Sequence, residues 1–246
     1  MYCTAFVLQE RQLAINKYSM NNHYYQELNW TSNFSSTGPT LKRWCNEENG
    51  DYRYFQIHIE RICDEFEVYR NLRDILKQHN MMLYKCKFMQ MNPGNFMKIH
   101  IDQGLQRKDI TDNDLLYYDE SNAMNYVDVA TPVEVALNIP LMNADDHITR
   151  WYNPKNCQVN MRAAVCGPLP SLDLENWPNK DKLVQEHCVA SFRMSKPTLI
   201  RTNELHNVDA RHSNKTRWIM SFRITDCHTK TFITWNDLQR VHDIIF

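Results

Sequence analysis

The sequence predicts a mostly β protein with flanking α-helices, built as an antiparallel sandwich or jelly roll. Short extended runs separated by turn residues occupy most of the chain after residue 80. The clearest run, at residues 216–224, alternates bulky apolar residues with Arg217, Ser221 and Arg223, as expected of a strand with one face in a core. No internal repeat is visible in the 246 residues, which excludes solenoid and fibrous proteins.

The same pattern places the individual elements. Strands are predicted at residues 83–91, 96–101, 133–141, 148–152, 197–201 and 216–224. A helix is predicted over residues 63–79, where apolar residues recur at three- and four-residue steps and Asn80 follows as a stop signal. We expect one domain, 1–246, with a helical or irregular flank (1–80), a β core with long insertions (81–226) and a C-terminal helix (227–246) capped by Asn236.

Composition and charge limit the classes of function. The chain has 28 basic and 29 acidic residues, so it has no overall attraction for a polyanion, and a general nucleic-acid coat protein is not expected. Glu10 and Arg11 interrupt the N-terminal segment, and no run of about 18 uncharged apolar residues occurs. Neither a secretion signal nor a membrane span is therefore expected.

Cysteine usage indicates the compartment. The eight cysteines, at positions 3, 45, 63, 86, 157, 166, 188 and 227, include no C-x-x-C pair. In a chain of this length they are predicted to be reduced core thiols rather than a disulfide framework or a zinc site. The expected location is the cytoplasm.

The most informative residues chemically are His100 and Asp102, separated by one residue, and the distant His206. Side chains at positions i and i+2 of a strand point to the same side, so His100 and Asp102 can approach one metal ion together. A histidine from another strand would complete a set of two imidazoles and one carboxylate. That set leaves three coordination positions open and suits Fe(II). The turn Asn92-Pro93-Gly94 precedes the strand, as a jelly-roll rim requires.

Arg217 follows His206 by 11 residues and lies on the polar face of the next extended run. A hairpin would return its guanidinium to the same interior as His206. Because a buried arginine needs an anionic partner, a dicarboxylate bound to the metal through its other end would satisfy it. Together, the three metal-ligand candidates and Arg217 predict a pocket that binds a metal-chelating 2-oxo diacid.

The order His100, Asp102, His206 and Arg217 resembles the motif of the Fe(II)- and 2-oxoglutarate-dependent oxygenases. The runs LNIPL at residues 137–141 and TRWY at 149–152 are similar to segments of aspartyl/asparaginyl-hydroxylase-like and prolyl-hydroxylase-like members, including viral ones. The resemblance covers about residues 83–224. It implies a double-stranded β-helix, which is a cupin-like jelly roll, and a hydroxylase that uses Fe(II), 2-oxoglutarate and O2.

The resemblance also implies roles for individual residues. His100, Asp102 and His206 would bind Fe(II), and Arg217 would hold the 5-carboxylate of 2-oxoglutarate. Two further candidates for the cosubstrate site are Thr149 and Asn138. Each of these two could equally satisfy backbone groups within the sheet.

Two departures from the family pattern concern the cosubstrate. Prolyl-hydroxylase-like members commonly place a tyrosine nine residues before the first histidine, where this chain has Met91. They also usually precede the anchoring arginine with Gly-x, which is absent before Arg217. Arg223 is therefore the alternative anchor.

Other interpretations of these residues stay open at this point. His100 and Asp102 could form a structural hydrogen bond without a metal, and Arg217 could lie on the surface of a hairpin. His187, His212 and His228 compete with His206 for the role of third ligand. A non-catalytic binding module and a 2-oxoglutarate-independent cupin-like metal protein are the alternative functions, and dependence on 2-oxoglutarate separates them from an oxygenase.

The resemblance makes a peptide or protein side chain the leading substrate, followed by a small amino-acid-like molecule. A nucleobase is less favoured because the chain has no net positive charge. The intervals 103–131 and 153–196 are predicted to be long loops that select the substrate. Their aromatic residues are candidates for the entrance: Tyr117, Tyr118, Tyr126 and Trp177.

Overall fold

The computed structural model describes residues 24–28, 30, 32–49, 54–105, 130–153, 159–164, 167–172 and 179–237. Within these ranges the chain is mostly β with flanking helices, as predicted. The strands are β1 (Tyr25–Glu27), β2 (Tyr54–Ile57), β3 (Met81–Met91), β4 (Gln103–Leu105), β5 (Ala130–Pro132), β6 (Val135–Met142), β7 (Ile148–Tyr152), β8 (Val159–Ala164), β9 (Gly167–Leu172), β10 (Cys188–Arg193), β11 (Thr198–Arg201), β12 (His206–Asp209) and β13 (Arg217–Asp226). The helices are α1 (Gly38–Asn49), α2 (Ile59–Glu65), α3 (Glu67–Gln78) and α4 (Lys180–His187).

The larger sheet has the strand order β1-β11-β6-β13-β3-β2. β13 is central, and its apolar residues Trp218, Met220, Phe222 and Ile224 belong to the same core cluster as buried residues of α1, α2 and α3. The edge strands β1 and β2 both come from the segment expected to be a helical or irregular flank. The opposite face of β13 carries Arg217, Ile219, Ser221 and Arg223, because side chains alternate along a strand.

A smaller sheet, β10-β7-β12, faces this polar side. A second core cluster joins Trp151 of β7 and Phe192 of β10 to Ile219, Ala136 and Ile200 of the larger sheet. The two sheets therefore enclose one interior. That interior is apolar where these residues meet and polar elsewhere along β13.

The segment predicted as a strand at 96–101 differs from expectation. It forms isolated bridges to β12, at Phe96 with Asp209 and at His100 with His206, rather than a continuous ladder. The N–H of Met97 also donates to the carbonyl of Val208 in β12, whereas the N–H of Asp102 donates to the carbonyl of Thr202, which follows β11. It thus lies next to the smaller sheet but is less regular than a strand, since only some of its backbone groups pair.

The predicted helix over residues 63–79 is divided. Phe66 has extended backbone angles (φ −124°, ψ 116°) and separates α2 from α3. Its side chain packs against the main core, so an apolar residue at helical spacing is compatible with a break. The expected stop is confirmed at Asn80, which adopts φ 59°.

The interval 153–196 is not one long loop, which corrects the prediction. It contains the hairpin β8–β9, helix α4 and strand β10 of the smaller sheet. In the interval 103–131, β4 pairs with β5. Residues 106–129 and 173–178, which hold the four aromatic entrance candidates, lie outside the described residues. So do residues 238–246 of the predicted C-terminal helix, although Trp235–Asp237 forms a 3-10 turn.

Two expectations from composition can be compared with the structure. The described cysteines at 45, 63, 86, 188 and 227 are free thiols. In the described part of the chain, no helix has both the length and the apolar character needed to cross a membrane.

A buried ion-pair network fixes the smaller sheet to its surroundings. Asp209 is 3% exposed, and its carboxylate accepts hydrogen bonds from Nε and Nη2 of Arg211 at 2.9 and 2.8 Å. Arg150 of β7 donates to the same carboxylate from Nε at 3.2 Å. Arg211 also pairs with Asp181 of α4 at 2.9 Å and lies over the ring of Phe96. The network joins β12, β7, α4 and the 96–102 segment.

We predict that Asp209→Ala lowers the free energy of unfolding by about 3 kcal/mol, because two largely buried guanidinium groups, with side chains 14% and 18% exposed, lose their shared carboxylate. Asp181→Ala is the control. Its side chain is 76% exposed, so its loss should change the free energy by at most about 0.5 kcal/mol. Urea unfolding followed by circular dichroism measures both values, and equal losses in the two variants would contradict the assignment.

The same carboxylate predicts a pH dependence. Burial alone would raise the pKa of Asp209, but the hydrogen bonds and charges of Arg211 and Arg150 outweigh it and lower the pKa. A lowered pKa in the folded state adds stability above the unfolded value of about 3.9, and this stability is lost as the pH falls below about 5. The free energy of unfolding should therefore decrease between pH 6 and pH 3, with a smaller slope in Asp209→Asn. An identical slope in that variant would refute this origin.

Candidate metal centre

The structure brings His100, Asp102 and His206 together. The backbones of His100 and His206 exchange two hydrogen bonds, at 3.0 and 2.9 Å, across an antiparallel bridge. Their ring centroids are 4.8 Å apart, and the side chains are largely buried. One potential ligand atom from each of the three residues lies within 4.8 Å of the other two. Such spacing allows a single ion to bind all three.

Each imidazole is oriented by a backbone carbonyl two residues earlier. Nδ1 of His100 lies 2.7 Å from the carbonyl oxygen of Lys98, and Nδ1 of His206 lies 2.8 Å from that of Glu204. Because a carbonyl only accepts, Nδ1 must be the protonated nitrogen in both rings. A neutral ring then keeps its Nε2 lone pair for a metal, which is the usual arrangement of metal-bound histidine.

Asp102 completes the cluster from the same segment. Its Oδ1 lies 3.3 Å from Nε2 of His100, and its Oδ2 accepts a hydrogen bond from Nη2 of Arg223. With Nδ1 carrying the proton of a neutral His100, Nε2 and Oδ1 are two acceptors facing each other. A cation between them removes this repulsion. The donor set, two imidazole nitrogens and one carboxylate oxygen, therefore fits a divalent metal such as iron.

The protonation states of His206 and Asp102 are those that metal binding requires. Burial, together with the neighbouring His100, lowers the pKa of His206 to about 4, so this ring is neutral at pH 7. Burial would raise the pKa of Asp102, but the positive charge of Arg223 holds it well below its usual range. The carboxylate is consequently ionised.

Arg217 begins β13 and is 3% exposed. Its buried Nε has no hydrogen-bond partner, and among the described residues no carboxylate pairs with it. Burial lowers its pKa to about 10, so it still carries its charge at pH 7. An unpaired buried guanidinium is costly unless an anion binds it. Arg217 faces the interior between the sheets, on the same face of β13 as Arg223.

Thr149 and Asn138 also face this interior. His206 pairs with Trp151 across the smaller sheet, and Thr149 lies two residues before Trp151 on the same face. Asn138 pairs with Ser221 of β13, and the Oδ1 of its side chain is buried without a partner. Both side chains are more than nine-tenths buried.

The competing residues are placed elsewhere. His212 and His228 are exposed, and His187 ends α4, where its Nε2 lies 3.9 Å from Glu186. Met91, which stands where prolyl-hydroxylase-like proteins have tyrosine, pairs with Arg217 across the sheet. The contact of Arg223 with Asp102 was not predicted. Its signal in the sequence was only that Arg223 shares a strand face with Arg217.

Comparison with family models and with curated proteins finds no match. Solved structures to which the chain is similar include HygX from Streptomyces hygroscopicus with nickel and 2-oxoglutarate bound (12% identity, TM-score 0.44, covering 85% of this chain and 84% of that one). Another is the non-heme alpha ketoglutarate dependent carbocyclase SnoK from nogalamycin biosynthesis (11% identity, TM-score 0.44, covering 93% of this chain and 90% of that one). A third is the viral collagen prolyl hydroxylase of Paramecium bursaria Chlorella virus-1 (10% identity, TM-score 0.38, covering 82% of this chain and 89% of that one).

We predict that His206→Ala and Asp102→Ala each weaken Mn(II) binding by more than about 100-fold, a larger loss than follows from changing a residue that only supports a ligand. Mn(II) replaces oxygen-sensitive Fe(II), and isothermal titration calorimetry of the apoprotein gives the affinity. His212→Ala, which removes an exposed histidine six residues along the chain, is the matched control and should bind like the wild type. If all variants bind Mn(II) with equal affinity, the cluster does not bind the metal, and His100 and Asp102 form an imidazolium–carboxylate pair instead.

Proposed function

We propose that this protein is an Fe(II)- and 2-oxoglutarate-dependent dioxygenase on a double-stranded β-helix. The observation that carries the proposal is the pairing of two features inside one interior. A cluster of two imidazoles and a carboxylate lies within 4.8 Å, and an arginine with a buried, unpartnered Nε lies on the facing strand. Either feature alone is compatible with a purely structural role. Together they provide a metal-binding site at one end of the interior and an anion-binding site at the other.

His100, Asp102 and His206 would hold the iron and leave three positions open for cosubstrate and dioxygen. Bound Fe(II), with 2-oxoglutarate and dioxygen, supplies oxidation of a substrate C–H bond, with release of succinate and CO2. The carbonyls of Lys98 and Glu204 keep both rings in the required tautomer. The buried setting of His206 and Arg217 keeps bulk water away from these groups.

Arg217 would bind the far carboxylate of 2-oxoglutarate. A fork-shaped guanidinium suits a carboxylate because two parallel hydrogen bonds form at once. Arg223 is the less suitable anchor, since its Nη2 already donates to Asp102 and its Nη1 lies 3.3 Å from Oγ of Ser221. Asn138 and Thr149 are candidates for secondary contacts with the same cosubstrate.

For the substrate, we propose a peptide or protein side chain, or a small amino-acid-like molecule, as the group hydroxylated. The balanced charge of the chain supports this choice over a nucleic acid, because 28 basic and 29 acidic residues provide no general attraction for phosphates. The protein's own contribution is to place one C–H bond beside the open positions of the metal.

The decisive experiment is an anaerobic titration of the apoprotein with Fe(II) and then 2-oxoglutarate, followed by visible absorption. Chelation by 2-oxoglutarate should produce a metal-to-ligand charge-transfer band in the wild type. Arg217→Met should need at least about 100-fold more 2-oxoglutarate for half of the band, since it removes a charge-assisted bidentate pair. Arg43→Met, at an exposed position of α1, is the control.

The outcomes separate the functions. Iron binding without a charge-transfer band would favour a metal protein that does not use 2-oxoglutarate. If Arg217→Met gives the same titration curve as the wild type, Arg217 does not bind the far carboxylate of 2-oxoglutarate. If the wild type binds no iron, the enzyme assignment fails.

A further inference from the structure

The segment that supplies two of the three metal-ligand candidates is held by isolated backbone hydrogen bonds rather than by a continuous strand ladder. Asp102 follows the last isolated bridge, at His100. Its N–H donates to the carbonyl of Thr202 at 2.9 Å, and its carbonyl accepts from Val133 at 3.2 Å. These bonds fix the backbone of Asp102. They do not fix the rotation of its carboxylate, so another contact must determine which oxygen faces the histidines.

Arg223 of β13 makes that contact. It lies in β13 between β6 and β3, where it pairs with Ala136 on one side and Lys85 on the other. Its Nη2 donates to Oδ2 of Asp102, and its Nη1 lies 3.3 Å from Oγ of Ser221, on the same strand face. Arg223 thus belongs to one of the two central strands of the larger sheet, and its side chain is 13% exposed.

We infer that Arg223 is a positioning residue for the metal centre: it engages Oδ2 of Asp102 so that only Oδ1 is available to the metal. The inference rests on the proposed function and concerns the same site. Oδ1 lies 3.3 Å from Nε2 of His100, as expected if Oδ1 binds the metal while Oδ2 accepts the hydrogen bond from Arg223. A carboxylate that binds through one oxygen leaves a coordination position free for a bidentate cosubstrate.

Charge and geometry predict opposite effects at this position. A guanidinium beside the metal repels a divalent cation, so its charge alone would make metal binding weaker in the wild type than in a neutral variant. Positioning of the ligand makes metal binding stronger in the wild type. The direction in which metal affinity changes when Arg223 is replaced therefore distinguishes positioning from charge.

The experiment compares the wild type with Arg223→Met, Arg223→Lys and Lys87→Met as full-length apoproteins. Lys87 is the matched control because it pairs with Ser221 on the neighbouring strand and so lies on the same sheet face. Mn(II) titration without 2-oxoglutarate gives affinity, and Co(II) absorption reports coordination number through the intensity of its d–d bands. Far-UV circular dichroism and thermal melting verify that each apoprotein is folded.

We expect Arg223→Met to bind Mn(II) about 10–100-fold more weakly, with altered Co(II) band intensities, and Lys87→Met to match the wild type. Equal or tighter binding by Arg223→Met, with an unchanged Co(II) spectrum, would overturn the inference and leave the proposed function intact. If the wild type itself binds neither metal, the proposed function fails first. If Arg223→Met does not fold, Arg223→Lys decides: weaker Mn(II) binding with altered Co(II) band intensities would support the inference, and an unchanged affinity and spectrum would overturn the role assigned to the guanidinium.

Discussion

The architecture follows from the division of β13 into an apolar face and a cationic face. The apolar face, with Trp218, Met220 and Phe222, packs against the helices and provides the main core. The other face must then be turned toward the smaller sheet. Because Arg217 and Arg223 are on that face, packing the two sheets together buries two guanidinium groups. Each of them requires an anion within the interior.

The two arginines meet this requirement in different ways. Arg223 takes its anion from the protein, since the carboxylate of Asp102 is its partner. Arg217 has no such partner among the described residues, and its buried Nε is without a hydrogen bond. A buried cation without an internal partner is destabilising unless an anion binds it. We therefore interpret the unpaired arginine and the metal-ligand cluster as two parts of one site for a chelating diacid.

Much of the fold could be predicted from local patterns. The strand at 148–152 was placed at the observed bounds, and β13 within two residues of them, because alternation of apolar and polar residues is a local property. The break at Phe66 was missed because an apolar residue at helical spacing gives the same pattern whether or not the helix is continuous. The hairpin β8–β9 was missed because prolines at 168 and 170 indicate a loop, whereas in a two-stranded hairpin each strand has an unpaired side that tolerates proline.

The candidate site shows the same limit. The spacing of His100 and Asp102 predicts a shared face, and the structure brings His206 to them. The sequence could not indicate that the segment around His100 pairs only at isolated positions, since that depends on the geometry of β12. Nor could it predict the contact of Asp102 with Arg223, 121 residues away, because strand parity specifies a face but not a partner.

If the proposed function is right, one ligand connects the metal cluster to Arg217. Crystals grown without oxygen in Mn(II) and 2-oxoglutarate, with diffraction recorded at the manganese absorption edge, would show whether it does. We expect a single anomalous peak bounded by His100, Asp102 and His206, with 2-oxoglutarate extending from it so that its far carboxylate lies on the guanidinium of Arg217. A manganese peak at another place, or a bound 2-oxoglutarate whose far carboxylate does not contact Arg217, would contradict this arrangement.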